Sequence, residues 1–218
     1  MDLKELAMLK MGDPPPRGSM FPPRLVNKQG VKKRFVGNAS FSGFAGMSCR
    51  DGKKPIIGLI NGHAHGGGFE MALNFDLTLA SPNATFRAAD CQHGLAALAG
   101  AYPRLCRIAD LQRTMDLSLT ARRPSAAEAE EWGIVLRVIP EEELLREGLK
   151  MARAIASLSP HAIFVAREAV RNSLNYGVNE SIRDMRLKHL DSILEGKALG
   201  EGLSNRIGLK TKKSSAKL

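Results

Sequence analysis

Aromatic side chains are scarce: they make up 5% of the 218 residues, with one Trp and two Tyr. Single-stranded nucleic-acid binders stack bases on aromatics interleaved with basic residues, and no such patch occurs here, so no nucleic-acid partner is expected. Long apolar runs are also missing. None approaches the ~20 residues that a membrane helix needs, so no membrane partner is expected. The three cysteines, Cys49, Cys91 and Cys106, are odd in number and widely spaced. They form no CxxC pair. A disulfide framework and a zinc site are therefore not expected, and a reducing, intracellular setting fits better. Cys91 and Cys106 are expected to be small buried thiols. The first residues lack the charged-then-apolar pattern of a secretory signal.

Charge is present in excess and of one sign. The formal net charge is +10, which suits a polyanionic partner such as a phosphorylated ligand. Part of that excess lies in residues 203–218, where Arg206, Lys210, Lys212, Lys213 and Lys217 meet no acid. This stretch reads as a solvated basic tail.

Residues 1–10 read as a short helix. The Pro-rich stretch at 12–34, with Pro14-Pro15-Pro16 and Pro22-Pro23, reads as a mobile loop. Residues 40–50 are rich in Gly and Ser, but Phe41, Phe44 and Met47 give them apolar groups to pack. Residues 55–60 form an apolar run bounded by Lys53-Lys54 and Asn61-Gly62, and predict a buried strand. A helix over 69–74, a strand over 77–80, a turn at Ser81-Pro82-Asn83 and a short strand over 85–87 follow. Ser125 and Glu128 form a capping-box pattern for a helix running to Trp132, closed by Gly133. A strand is predicted over 134–139, then helices over 141–158, 161–176 and 178–194. Alternating strands, turns and helices point to the α/β class. The expected division is a core over 1–139, a helical and oligomerisation region over 140–206, and a basic tail over 207–218.

Gly66-Gly67-Gly68 between a strand and a helix lets a backbone approach a ligand closely. The N–H groups that open the helix have no intrahelical acceptor and can hold an oxyanion. Glu70 falls in the first turn, beside them. On its own the segment also reads as a tight turn with an acid that favours the helix terminus. His63 and His65 have no third metal ligand nearby and read as pocket-lining or turn residues.

The flanks are more specific. Lys54-Pro55-Ile56-Ile57-Gly58-Leu59-Ile60-Asn61-Gly62, then Ala64, Gly66-Gly67-Gly68-Phe69-Glu70-Met71-Ala72-Leu73 and Asp76, resemble the signature of the enoyl-CoA hydratase/isomerase (crotonase) family. Ala84-Thr85-Phe86, Asp90, Gly94-Leu95 and Arg104-Leu105 continue it. So do Thr120-Ala121-Arg122-Arg123, Ser125-Ala126, Glu128-Ala129, Trp132-Gly133-Ile134-Val135 and Val138-Ile139-Pro140. The match covers about residues 53–195.

The resemblance implies a crotonase-type spiral of strand-strand-helix units with a C-terminal helical subdomain. It implies an acyl-CoA thioester as substrate, with its carbonyl oxygen held between two backbone N–H groups while an enolate forms. Gly67 matches the donor on the helix side. Glu70 and Asp90 match the acids that move protons or activate water. Ala64, Gly66, Gly68 and Leu95 match positions against the substrate. No cofactor or metal is implied, because coenzyme A is part of the substrate. A homotrimer or hexamer is implied.

Two departures bear on the reaction. Asp90 stands where many hydratases have Glu, and the shorter reach weakens the hydratase reading and leaves the isomerase reading standing. Leu98-Ala99-Gly100-Ala101-Tyr102-Pro103 replaces a more glycine-rich stretch of the family, so the pocket wall and the accepted acyl group are expected to differ. The family's other oxyanion donor lies in a loop whose tail Met1-Asp2-Leu3-Lys4-Glu5-Leu6 resembles, which reads as an N-terminally truncated member. Phe41-Ser42-Gly43-Phe44-Ala45-Gly46 has the look of that loop but sits too close to Pro55 to take its place. One missing donor would cost about 3 kcal/mol of transition-state stabilisation. The alternative reading is therefore a non-catalytic crotonase-fold subunit or an inactive fragment. Ala216-Lys217-Leu218 resembles a peroxisomal address tripeptide, which implies an import receptor as partner. Peroxisomal relatives in fungi serve fatty-acid oxidation or specialised metabolism of the toxin or siderophore type.

Overall fold

The computed structural model describes residues 43–196. The readings of a helix at 1–10, a loop at 12–34, a packed Phe41, the basic tail and the Ala216-Lys217-Leu218 address lie outside them. The described chain divides into two compact units. The first takes in residues 56–148 with the preceding segment up to Gly52; the second combines Lys53–Pro55 with the residues from Leu149 onward.

Both sheets of the first unit are parallel. β1 (Ile57–Ile60), β3 (Leu77–Ala80) and β5 (Arg137–Val138) form one in the order β1-β3-β5. Ile57 lies opposite Leu77, and Leu79 opposite Arg137. β2 (His63–His65) and β4 (Thr85–Arg87) form the other, with His63 opposite Thr85 and His65 opposite Arg87. The apolar run that marked β1 is thus a strand, as its composition requires. Asp76 anchors its entry, accepting a hydrogen bond from the Ile56 N–H at 2.8 Å.

Helix α1 (Gly67–Ala72) joins β2 to β3 and begins earlier than the sequence suggested, taking two of the three glycines into its first turn. Its Phe69 is buried and meets Phe86 of β4, ring centroids 5.9 Å apart. Leu79, Leu105 and Leu117 complete the centre of the core. Leu105 comes from α2 (Ala101–Ile108) and Leu117 from α3 (Leu111–Thr120). Helix α4 (Ala126–Glu131) carries the expected capping box: Ser125 Oγ accepts from the Glu128 N–H, and Glu128 accepts from the Ser125 N–H at 2.8 Å. Gly133 follows at φ 74, the left-handed conformation that suits a residue without Cβ.

β5 is shorter than the expected strand over 134–139. The reason is local. After the left-handed Gly133, the N–H groups of Ile134 and Val135 both turn back to the Ala129 carbonyl, so these residues finish the helix rather than extend the sheet. Cys91 corrects a second expectation: it is exposed, and Cys106 is half-buried. Cys91 sits in a short 3-10 turn, Asp90–His93, on the surface rather than in the core.

Helix α5 (Glu141–Ala156) begins in the first unit. In the second, α6 (Pro160–Asn172) and α7 (Val178–Leu194) pack together. Glu168 on α6 accepts from His189 of α7 at 3.1 Å, and Lys188 lies 3.5 Å from the same carboxylate. Pro160 at the start of α6 is tolerated because its missing N–H would have no partner there.

Candidate active site

The site is built on the β2–α1 junction. Gly66 takes φ 52 and donates its N–H to the Arg87 carbonyl at 2.9 Å, which fixes the turn against β4. The Gly66 carbonyl then accepts from Phe69 and Glu70, so the helix starts at once. Gly67 and Gly68 occupy its first two positions, where backbone N–H groups have no intrahelical acceptor.

Gly67 has a packing reason to be glycine. A Cβ there would stand 2.4 Å from Cγ of Phe44, whose ring lies against the Gly67 backbone. Phe44 belongs to a short 3-10 turn, Phe44–Gly46, that packs on α1. Its N–H donates to Ser48 Oγ at 2.7 Å and is thus already engaged. The segment is pinned from two sides. Asn74, buried just past α1, donates to the carbonyls of Met47 at 2.8 Å and Arg50 at 3.0 Å. Cys49 Sγ donates to the Ala99 carbonyl at 3.1 Å.

Glu70 is 1% exposed. Its Oε1 accepts from the Ala99 N–H at 2.8 Å. Burial pushes its pKa above the ordinary 4.5; the Ala99 backbone N–H opposes this, and the nearby Asp90 charge adds to it. Ala99 is in turn held by Arg104, whose Nη1 donates to its carbonyl at 2.9 Å. The Leu98–Pro103 stretch, which departs from the family pattern, thus supplies the backbone contact that positions Glu70. Residue identity gave no sign of this, because the contact is made by the main chain.

Asp90 opens the 3-10 turn that follows β4. Its carboxylate faces Gly66: a Cβ on that glycine would lie 3.9 Å from each oxygen. Oδ2 is buried and has no hydrogen-bond partner among the described residues. An open cleft of about 230 Å³ lies here, lined by His65, Gly66, Gly67, Ala89, Asp90, His93 and Leu95. Four of the sequence-nominated residues, Gly66, Gly67, Asp90 and Leu95, thus share one cavity. Glu70, Ala64 and Gly68 are not on its wall. Ala64 is buried in the core, on the opposite face of β2 from His63 and His65.

His65 lies on the cleft wall, in keeping with its reading as a pocket-lining or turn residue, and Ala89 and His93 are the wall residues that sequence reasoning did not single out. His63 and His65 stack, ring centroids 5.0 Å apart, and both bond Thr85 Oγ1. Burial lowers the His65 pKa below 6.5, and His63, Arg123 and Arg87 lower it further. The period-2 spacing of His63 and His65 could have placed them on one strand face. Among the described residues, no group of three or more His, Cys, Asp or Glu could hold a metal ion. Tyr102 lies beside Cys91, its hydroxyl 3.5 Å from Sγ; burial pushes its pKa up to about 12, and the Cys91 contact adds to this.

The sequence profile described as enoyl-CoA hydratase/isomerase matches residues 38–206. A mevalonyl-coenzyme A hydratase of Aspergillus fumigatus is 43% identical over 152 residues, which are 70% of this chain and 53% of that protein. A carnitinyl-CoA dehydratase of Salmonella typhi is 35% identical over 73% of this chain and 63% of its own length. The chain therefore spans about half the length of the first relative and somewhat more of the second. Among solved structures, an enoyl-CoA hydratase from Bacillus anthracis superposes with a TM-score of 0.68 at 31% identity, covering 72% of this chain and 60% of that one. Profile, relatives and superposition agree with the glycine-Glu segment and its strand-strand-helix frame: the chain belongs to the enoyl-CoA hydratase/isomerase family and has the crotonase fold.

Proposed function

We propose that the protein acts on an acyl-CoA thioester as an enoyl-CoA hydratase or isomerase. The observation that carries this reading is the pairing of two carboxyl groups with one free-backbone turn. Glu70 is buried and fixed by Ala99, Asp90 presents an unpaired buried oxygen, and Gly67 opens a helix between them. In this reading the Gly67 N–H donates to the thioester oxygen as charge develops on it. Glu70, with its raised pKa, exchanges a proton with the carbon beside the carbonyl, and Asp90 handles the water or hydroxyl. Gly66 and Leu95, on the cleft wall, shape the surface around the acyl group.

The relatives named for mevalonyl-CoA hydratase and carnitinyl-CoA dehydratase support addition or removal of water over double-bond migration. A homotrimer or hexamer agrees with Leu111, Met115 and Leu119, which are exposed on one face of α3. A peroxisomal location rests on Ala216-Lys217-Leu218; a reporter fused to residues 207–218 that stays diffuse would remove that support.

The deciding experiment is turnover of crotonyl-CoA, 3-hydroxybutyryl-CoA and 3-hydroxy-3-methyl-branched thioesters by the full chain and by Glu70→Gln. Activity lost in the variant supports the enzyme. Binding of thioesters without turnover by either protein supports the non-catalytic crotonase-fold reading.

A further inference from the structure

The chain of hydrogen bonds His63–Thr85–His65 reaches from the surface to the cleft wall. His63 is exposed and its Nδ1 lies 2.7 Å from Thr85 Oγ1; His65 is half-buried and its Nε2 lies 3.0 Å from the same oxygen. Both imidazoles sit on one face of β2, and Thr85 faces them from β4. A threonine hydroxyl carries one hydrogen. It can donate to only one of the two rings, so the other ring must donate to it. The two tautomers are therefore linked. When His63 carries its hydrogen on Nδ1, it donates to Thr85, Thr85 donates to His65 Nε2, and the neutral His65 must carry its hydrogen on Nδ1. Nδ1 has no partner among the described residues.

That leaves a polar group on the cleft wall beside Gly66, in the same cavity as the Asp90 carboxylate. Asp90 Oδ2 is buried and unpaired, an arrangement that costs free energy unless a ligand donates to it. A water molecule or a hydroxyl can donate to the carboxylate and accept from an imidazole at once. An anionic group would meet repulsion from Asp90. A hydrocarbon chain would leave both groups unpaired.

We propose that His65, whose tautomer is tied to that of His63 through Thr85, is the second group that binds the water or hydroxyl handled by Asp90. The inference deepens the proposed hydration–dehydration reading and rests on it. The charged and titratable groups around the pair are His63, Arg87 and Arg123, which act on His65, and Asp90 and His93, which share its cleft. No group is consumed. The proton lost or gained by the water passes to or from Asp90, and His65 only accepts or donates a hydrogen bond.

The test combines kinetics with histidine 15N NMR on the full chain. His65→Leu is expected to lower kcat for dehydration of 3-hydroxybutyryl-CoA about 10- to 100-fold with KM changed little. His65→Gln, which keeps a donor, is expected to recover part of the loss. Thr85→Val, a positioning variant of similar shape, is expected to lower kcat less and to change the His65 tautomer seen by NMR. Addition of 3-hydroxybutyryl-CoA is expected to shift the His65 Nδ1 resonance, and butyryl-CoA to shift it much less. Wild-type kcat in His65→Leu, or equal losses in the Leu and Gln variants with KM rising in step, overturns the inference. So does binding of 3-hydroxybutyryl-CoA with no His65 shift, and either result leaves the functional reading intact. Failure of every thioester to bind would bring down both.

Discussion

The ring of Phe44 lies against the backbone of Gly67, close enough that a methyl group on Gly67 would come within 2.4 Å of the ring. The glycine that opens α1 is therefore also the floor on which an earlier segment packs. Gly67→Ala is expected to destabilise the protein by about 1–3 kcal/mol through overpacking. In a Phe44→Ala background the same change should cost less, because the clashing ring is gone. Denaturant unfolding of the two single variants and the double variant measures this coupling. Additive losses would show that the ring does not limit Gly67.

Glu70 is buried with a raised pKa, so its ionised form is disfavoured in the folded state. The folded protein binds this proton more tightly than the unfolded chain does. The resulting stability is fully present below the ordinary 4.5 and is lost as pH rises through the raised value. Glu70→Gln is expected to remove that loss and raise Tm at neutral pH, while lowering turnover roughly 100-fold or more. Thermal unfolding as a function of pH, read for both proteins, checks the sign. A variant less stable than wild type at neutral pH would contradict it.

Hydration of crotonyl-CoA is expected to be slow, because Asp90 falls one methylene short of the Glu common in the family. Asp90→Glu should raise the hydration rate if reach limits it, and Asp90→Asn should lower it; an ångström of misplacement can be worth about 100-fold. Initial rates on crotonyl-CoA decide the matter. An ordinary wild-type turnover number would refute the premise.

Arg122 ties α3 to α4. Its guanidinium bonds Asp116 and Glu128 and lies over Trp132 at 5.0 Å. Glu128 also closes the capping box with Ser125. Ser125→Ala is expected to cost about 1 kcal/mol, a common value for a lost N-cap. Because Glu128 serves both groups, Arg122→Ala and Ser125→Ala should not be additive. Trp132 fluorescence during unfolding reports the loss at the site itself.

Much of this architecture is legible in residue order. The run before Asn61-Gly62 is a strand, the Ser125–Glu128 pattern is a capping box, and α7 spans Val178–Leu194 as its punctuation by Gly177 suggests. What escaped is carried by the backbone or by pairing across distance. β2 is three residues long, too short for periodicity to mark, and exists as a strand because β4 lies beside it. The contact of Ala99 with Glu70 is made by a peptide N–H, to which side-chain patterns are blind. Helices α2 and α3 follow a stretch whose glycines resemble a loop, and tertiary burial of Leu105 and Leu117 selects the helical form. Of the site, the glycines, the acids, Leu95 and the pocket reading of His65 could be named in advance; Ala89 and His93, which complete the cleft wall, could not.

The strand pairings also set an order of assembly. Ile57 meets Leu77 across the β2–α1 segment, whereas Leu79 must wait for Arg137, with helices α2, α3 and α4 between them in the chain. Closing the longer loop costs more entropy, and contacts between distant residues slow folding. β1, α1 and β3 are expected to condense first, with β5 arriving last to cover the open edge of β3. Until it does, that edge offers unpaired backbone groups to any other extended chain. The interval before β5 docks is then the time when the nascent protein is most exposed to mispairing, and low φ-values at Val138 beside high ones at Leu59 would record it.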